Sequence, residues 1–168
     1  IYVGYRYYTT RAYEDNTFNY DDYVQYSFGE GYSYTTFEKH ISEYEFDEET
    51  NKLSVQVAVK NTGDVAGKEV VELYLTAPYT KGGIEKAYVE LAGYAKTNEL
   101  KPNETYYARI DIDLEDLASW DTNNGNYVLE KGTYVLSLRD DCNTLTKVTG
   151  SNKNTITFEY KNDVRFLS

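Results

Sequence analysis

The sequence predicts an all-β protein: an antiparallel β-sandwich of about seven short strands, preceded by an irregular tyrosine-rich N-terminal arm. Three observations carry this. Apolar and polar residues alternate with a period of two in several stretches, as expected of strands with one buried face. Turn-forming clusters of Gly, Asn, Asp and Pro recur roughly every ten residues. No strand–helix alternation of the nucleotide-binding α/β type is present.

The arm comes first. Half of the twenty tyrosines precede Thr35. The stretch has few aliphatics and no clean period of 3.6 or 2, so irregular structure is expected. Disordered tails are aromatic-poor. Such a density of rings therefore points to a segment laid across a surface, with its hydroxyls hydrogen-bonded.

From Thr36 the pattern is β. Leu53, Val55, Val57 and Val59 alternate with Ser54, Gln56, Ala58 and Lys60. The run NTGDVAGK (61–68) is a turn in which Asn and Gly are expected to supply positive φ. Val71, Leu73 and Leu75 resume the inner face, with Glu72 and Tyr74 opposite. A weaker strand includes Tyr88, Val89, Leu91 and Tyr94. LKPNE (100–104) turns the chain into Tyr106, Ala108, Ile110, Ile112 and Leu114. DLEDLASW (113–120) breaks the alternation and suits one helical turn. Tyr127 to Leu129, then Tyr134, Leu136 and Leu138, form strands about a turn at 130–132. Ile156, Phe158 and Tyr160 mark the last.

Composition narrows the function. With 17 basic and 28 acidic residues the net charge is −11, which disfavours nucleic acid and anionic membrane surfaces. No apolar run is long enough to span a bilayer. Cys142 is alone, so no internal disulfide or CxxC pair exists, and His40 is the only His, which excludes two-His zinc sites. Adjacent Asp140 and Asp141 are expected to hold the Cys142 thiol protonated and unreactive. His40 reads as a surface residue preceding a strand. A chain that begins at Ile1 and holds no Met is expected to be a segment of a longer protein. An acidic chain with one Cys leans towards a cytoplasmic, bacterial source.

The carboxylate pairs Asp21–Asp22, Glu115–Asp116 and Asp140–Asp141 do not converge if their neighbours point to opposite faces. Asp111 and Asp113 share a face, but the solvent face. A calcium site in DTNNGN (121–126) is weighed against a plain turn, and the turn is preferred because the loop lacks EF-hand spacing. Trp120 is a candidate carbohydrate contact, since flat rings stack on sugars. The preferred reading is that it caps the core beside Leu117. TKGG (80–83) is a loop tip, and Asn103–Thr105 a glycosylation sequon.

Five segments together carry a resemblance: IYVGYRYY (1–8), FGEGYSYTTFE (28–38), NTGDVAGKEVVELYLTAPYTKGGIEK (61–86), ELAGYAKTNELKPNET (90–105) and YVLEKGTYVLSL (127–138). In this order they resemble the fibronectin type III-like domain of glycoside hydrolase family 3, the β-glucosidases. The fold this implies is a fibronectin type III/immunoglobulin-like sandwich. In that family Tyr usually stands where this chain has Glu30.

The resemblance implies a division of the chain. Residues 1–35 are an interdomain arm, the end of a preceding α/β sandwich domain plus linker, with Tyr2, Tyr5, Arg6, Tyr7 and Tyr8 packing between domains. Residues 36–162 are the β-sandwich. Residues 163–168 open a linker, as in permuted members where a barrel domain follows. Retaining glycosidases use two carboxyl groups ~5 Å apart. The resemblance places these in the barrel and near the α/β sandwich domain, so this chain is expected to hold no catalytic residue, cofactor or metal. Its expected partners are those two domains, within one polypeptide, and its expected role is to brace them. A β-glucan-binding module and an adhesion-type module with a protein partner are the alternatives.

Overall fold

A computed structural model describes residues 3–167. A ten-residue helix, α1 (Tyr5–Glu14), and a 3-10 turn (Tyr20–Asp22) lie in the arm. Eleven strands follow: β1 (Phe37–Asp47), β2 (Lys52–Asn61), β3 (Val70–Thr76), β4 (Glu90–Lys96), β5 (Thr105–Asp113), β6 (Ser119–Asp121), β7 (Asn126–Leu129), β8 (Gly132–Asp141), β9 (Thr144–Leu145), β10 (Thr155–Tyr160) and β11 (Val164–Phe166). A second 3-10 turn, Leu114–Leu117, sits where the alternation breaks.

The strands form an antiparallel sandwich. One sheet has the order β1-β2-β5 and the facing sheet the order β10-β8-β3-β4, with β9 appended to β8. A third, small sheet, β11-β7-β6, flanks them. The core is the meeting of two inner faces. Leu53, Val55, Val57, Val59, Ile110 and Ile112 come from one sheet, and Val71, Leu73, Leu75, Leu136, Leu138, Ile156 and Phe158 from the other. Each of these is nearly solvent-free. Period-two burial follows because successive strand residues face opposite ways.

The strand count is corrected from about seven to eleven. Three of the added strands, β6, β9 and β11, have only two or three residues, too few for alternation to register. The longest, β1, was not resolved as a strand because of a bulge between Ile41 and Glu43. That bulge puts Ile41 opposite Val57 and Phe46 opposite Leu53, two inward residues an odd number apart, so the period is lost at that point. His40 therefore lies inside β1 and does not precede it.

Three further expectations are corrected. The arm is not irregular throughout, because residues 5–14 are helical. The side it buries is made of hydroxyls, Thr9 and Thr10, so hydropathy carries no helical period. Residues 164–166, expected as linker, pair with β7 as β11. In the 61–68 turn neither Asn61 nor its glycines adopt positive φ. Asn61 is instead a fully buried hub: its Nδ2 donates to the carbonyls of Val65 and Leu100, and its Oδ1 accepts from Thr35 Oγ1 and the Gly63 amide. Gly63 is there because a Cβ would fall 2.0 Å from Thr35 Oγ1.

Gly93 fixes how closely the sheets approach. A Cβ on this β4 residue would lie 2.7 Å from Ile110 Cγ2 and 3.4 Å from Ile112 Cγ1, on the opposite sheet. Both are stiff β-branched side chains. Gly93→Ala is expected to cost about 1–3 kcal/mol by overpacking, read as a lowered thermal midpoint, with Gly31→Ala, where a Cβ meets nothing within 4 Å, as the control.

Candidate functional site

The arm builds the most distinctive site in the molecule. In an ordinary sandwich the outer face of a sheet meets water. Here β3 is buried on both sides: Tyr74 is 0% and Glu72 6% exposed, although sequence alternation assigns both to the outer face. Tyr74, Val89 and Cys142 form a second apolar cluster, with Tyr5, Tyr88 and Leu91 packed on it.

The arm covers this face chiefly through four residues, Tyr5, Thr10, Tyr20 and Phe28. The Tyr5 ring stacks on Phe28 at 4.3 Å and meets Tyr74 edge-on at 6.3 Å. Its hydroxyl accepts from the Leu91 amide at 2.9 Å, and Thr10 Oγ1 accepts from the Tyr88 amide at 2.8 Å. The Cys142 amide donates to the Phe28 carbonyl at 2.8 Å. The Tyr20 hydroxyl lies 3.5 Å from Cys142 Sγ. Beside these, Tyr13 stacks on Tyr88 at 4.1 Å.

Glu72 lies at the centre. Tyr74 donates its hydroxyl proton to Glu72 Oε1 at 3.0 Å. Gly29, at φ +85°, sits directly above, and a Cβ there would come 2.1 Å from Glu72 Oε1 and 2.7 Å from the Tyr74 hydroxyl. Only glycine combines that φ with that approach. Burial raises the Glu72 carboxyl from 4.5 to about 7, against the lowering effects of the Tyr74 hydrogen bond and Lys39. The Cys142 thiol is also raised, chiefly by burial. Adjacent Asp141, the cause inferred from sequence, contributes less. Glu30 closes the neighbouring turn by accepting from the Ser27 amide and the Tyr32 hydroxyl.

A groove of about 1040 Å³ runs between residues 29–37 and the sheet. Lys39, nearly buried, bridges it from β1, its Nζ 3.1 Å from Asp140 Oδ1 and 3.4 Å from Glu69 Oε2.

The residues singled out in sequence fall in several places. Tyr5 packs on the sheet as described. Arg6 pairs with Glu90 at 2.8 Å. Tyr7 is exposed and accepts from Arg11 Nη1 at 2.9 Å. Tyr8 is half-buried and stacks on Phe18 at 6.5 Å. Tyr2 lies outside the described residues. Trp120 does not cap the core: it sits on β6, 46% exposed, edge-on to Tyr127 at 5.0 Å. Leu117 and Ala118 take the core position.

Chemistry is sparse. In the 121–126 loop, Asp121 accepts from Asn124 and Arg165 and from the amides of Asn123 and Asn124, which holds its carboxyl down to about 2. Protein donors take up its oxygens. Asp111 is exposed and bound to Ser54 and Arg109, and Asp113 to Lys52. Among the described residues, no three His, Cys, Asp or Glu gather as a metal site. No described helix is long and apolar enough to cross a membrane.

The sandwich and its sheet order define a fibronectin type III-like domain. The family model of that description matches residues 69–142. More particularly, the chain is the counterpart of the fibronectin type III-like domain of family 3 β-glucosidases. It is 39% identical over 146 residues to a β-glucosidase of Ruminococcus albus, covering 84% of this chain and 14% of that one. It is 40% identical over 134 residues to the probable β-glucosidase K of Emericella nidulans, covering 80% and 14%. The structure of β-glucosidase 3B from Thermotoga neapolitana in complex with glucose superimposes with a TM-score of 0.79 at 37% identity, over 99% of this chain and 20% of that chain. The chain thus spans about a fifth or less of such relatives. They are bacterial and fungal alike, so the likeness does not select a bacterial source.

Tyr5 joins arm to sheet by stacking, edge contact and a hydrogen bond. Tyr5→Ala is expected to cost about 2–3 kcal/mol in a urea melt. Amide exchange should accelerate at Leu91 and Cys142 and not in β2.

Proposed function

We propose that this chain is a non-catalytic accessory module of a family 3 β-glucosidase, an enzyme hydrolysing terminal β-D-glucosyl residues, and that it braces the catalytic domains. The observation carrying this reading is the two-sided arm. One side is fastened to the sheet through Tyr5, Thr10, Tyr20 and Phe28. The other exposes a density of rings unusual for a free surface, including Tyr26 at 66%, Tyr32 at 85% and Tyr34 at 101%. Large apolar patches at a surface mark contact sites. The chain's span of about a fifth or less of its relatives supports a covering partner elsewhere in the same polypeptide. Barrel and α/β sandwich domains are the partners proposed, with residues 1–35 as the arm between domains.

Sugar binding is the weaker reading. Trp120 and Tyr127 stand edge-to-face at 67°, so the pair does not offer one flat platform.

Two measurements test the proposal. The purified chain should release no more p-nitrophenol from an aryl β-glucoside than a heat-treated blank, and release above it overturns the reading. Deleting this module from the full-length hydrolase should lower the melting temperature and kcat together, with KM of the surviving molecules unchanged. Intact stability with KM raised selectively for longer glucans would instead assign a substrate contact. Quenching of Trp120 fluorescence by cellobiose would point the same way.

A further inference from the structure

Glu72 is a buried carboxyl that a brace does not require. It is 6% exposed, and the backbone of the overlying segment comes so near that a Cβ on Gly29 would fall 2.1 Å from Glu72 Oε1. We propose that Glu72 is a proton-operated latch for residues 27–35, holding this segment on the sheet when neutral and loosening it when ionised.

The geometry supplies both halves of the device. The lid contact is tight at Gly29, which approaches Glu72 and Tyr74 too closely for a water layer between them, while the residues that follow border the groove. Among the described residues the Tyr74 hydroxyl is the one donor to Glu72, and burying a carboxylate with so few partners is unfavourable. The segment itself is held by few bonds, chiefly the Cys142 amide to Phe28 and Thr35 to Asn61. It can therefore lift without unfolding the sandwich core.

The charged neighbours do not neutralise Glu72. Lys39 approaches from β1 but is bound to Glu69 and Asp140. From β8, Arg139 is the cross-strand partner of Glu72, yet its Nε donates to Ser137 and its guanidinium lies over Tyr88. Asp141 and Glu69 add negative potential. From β4, Tyr94 stands opposite in register, and Lys96 lines the groove farther along. From the lid, Glu30 is occupied by Ser27 and Tyr32.

The docked state binds the proton more tightly than the released one. Its stabilisation is complete below the ordinary carboxyl value and is lost as pH rises from 4.5 through about 7. Between about pH 5.5 and 8, release becomes roughly 10- to 30-fold more favourable.

Cys142, with no exposed surface beneath Tyr20 and Phe28, reports the opening. Alkylation of Cys142 in the 168-residue chain is compared with that in Glu72→Gln at each pH, which cancels the thiol's own ionisation. The wild-type to variant rate ratio is expected to rise at least about tenfold from pH 5.5 to 8. A ratio flat with pH overturns the latch. Should Glu72→Gln fail to fold, hydrogen exchange on the wild type decides. After correction for intrinsic rates, the Glu30 and Cys142 amides should lose protection relative to β2 as pH rises. Constant relative protection overturns the proposal.

Discussion

Everything distinctive in this molecule depends on β3 being buried from both sides. Its inner residues Val71, Leu73 and Leu75 meet the opposite sheet. Its outer residues Glu72 and Tyr74 lie under the arm. A sandwich strand is ordinarily apolar on one face and hydrated on the other. Covering the second face turns a two-layer structure into three layers locally. The third layer is made not of aliphatic side chains but of phenol rings, which bury area while keeping a hydroxyl for a partner. The hydroxyls of Tyr5, Tyr20 and Tyr74 are all engaged in this way.

A second constraint lies at the other end of the same segment. The side chain of Asn61 joins three segments, its backbone adds bonds to Asn103 and Glu104, and Thr35, the last residue of the arm, is one of its partners. The segment from Phe28 to Thr35 is thus pinned at both ends, by Cys142 and by Asn61, with the Glu72 carboxyl beneath Gly29 next to the Phe28 end. Close backbone approaches at Gly29 and Gly63 set its path. At Gly93 the same device acts between the two sheets, so three glycines determine how tightly three layers are pressed together.

The sandwich was legible because β2, β3, β5 and β10 alternate cleanly and each has one wet or one covered face of consistent sign. The resemblance in five segments placed the domain in its family. β1 was hidden by a bulge that shifts its inward residues out of period. β6, β9 and β11 were too short to register. Helix α1 buries threonines, which hydropathy counts as surface. The site at Glu72 was missed for a related reason. Glu72 and Tyr74 alternate correctly with Val71, Leu73 and Leu75, and alternation assigns them to solvent. Only a covering layer supplied from more than forty positions upstream reverses the assignment, and local pattern contains no term for that. The excess of tyrosine before Thr35 was the one available signal.

The two ends of the fold share a flank. Arg6, at the start of α1, lines the same groove as Trp120 and Tyr127, and Phe166 of β11 pairs with Tyr127 in register. The first helix and the last strand therefore adjoin on one side of the sandwich. Such a unit can be spliced between other domains, or transferred from one place in a polypeptide to another, without forcing its new neighbours apart. In this fold modularity is a matter of where the backbone crosses the boundary, independent of what the module contacts once in place.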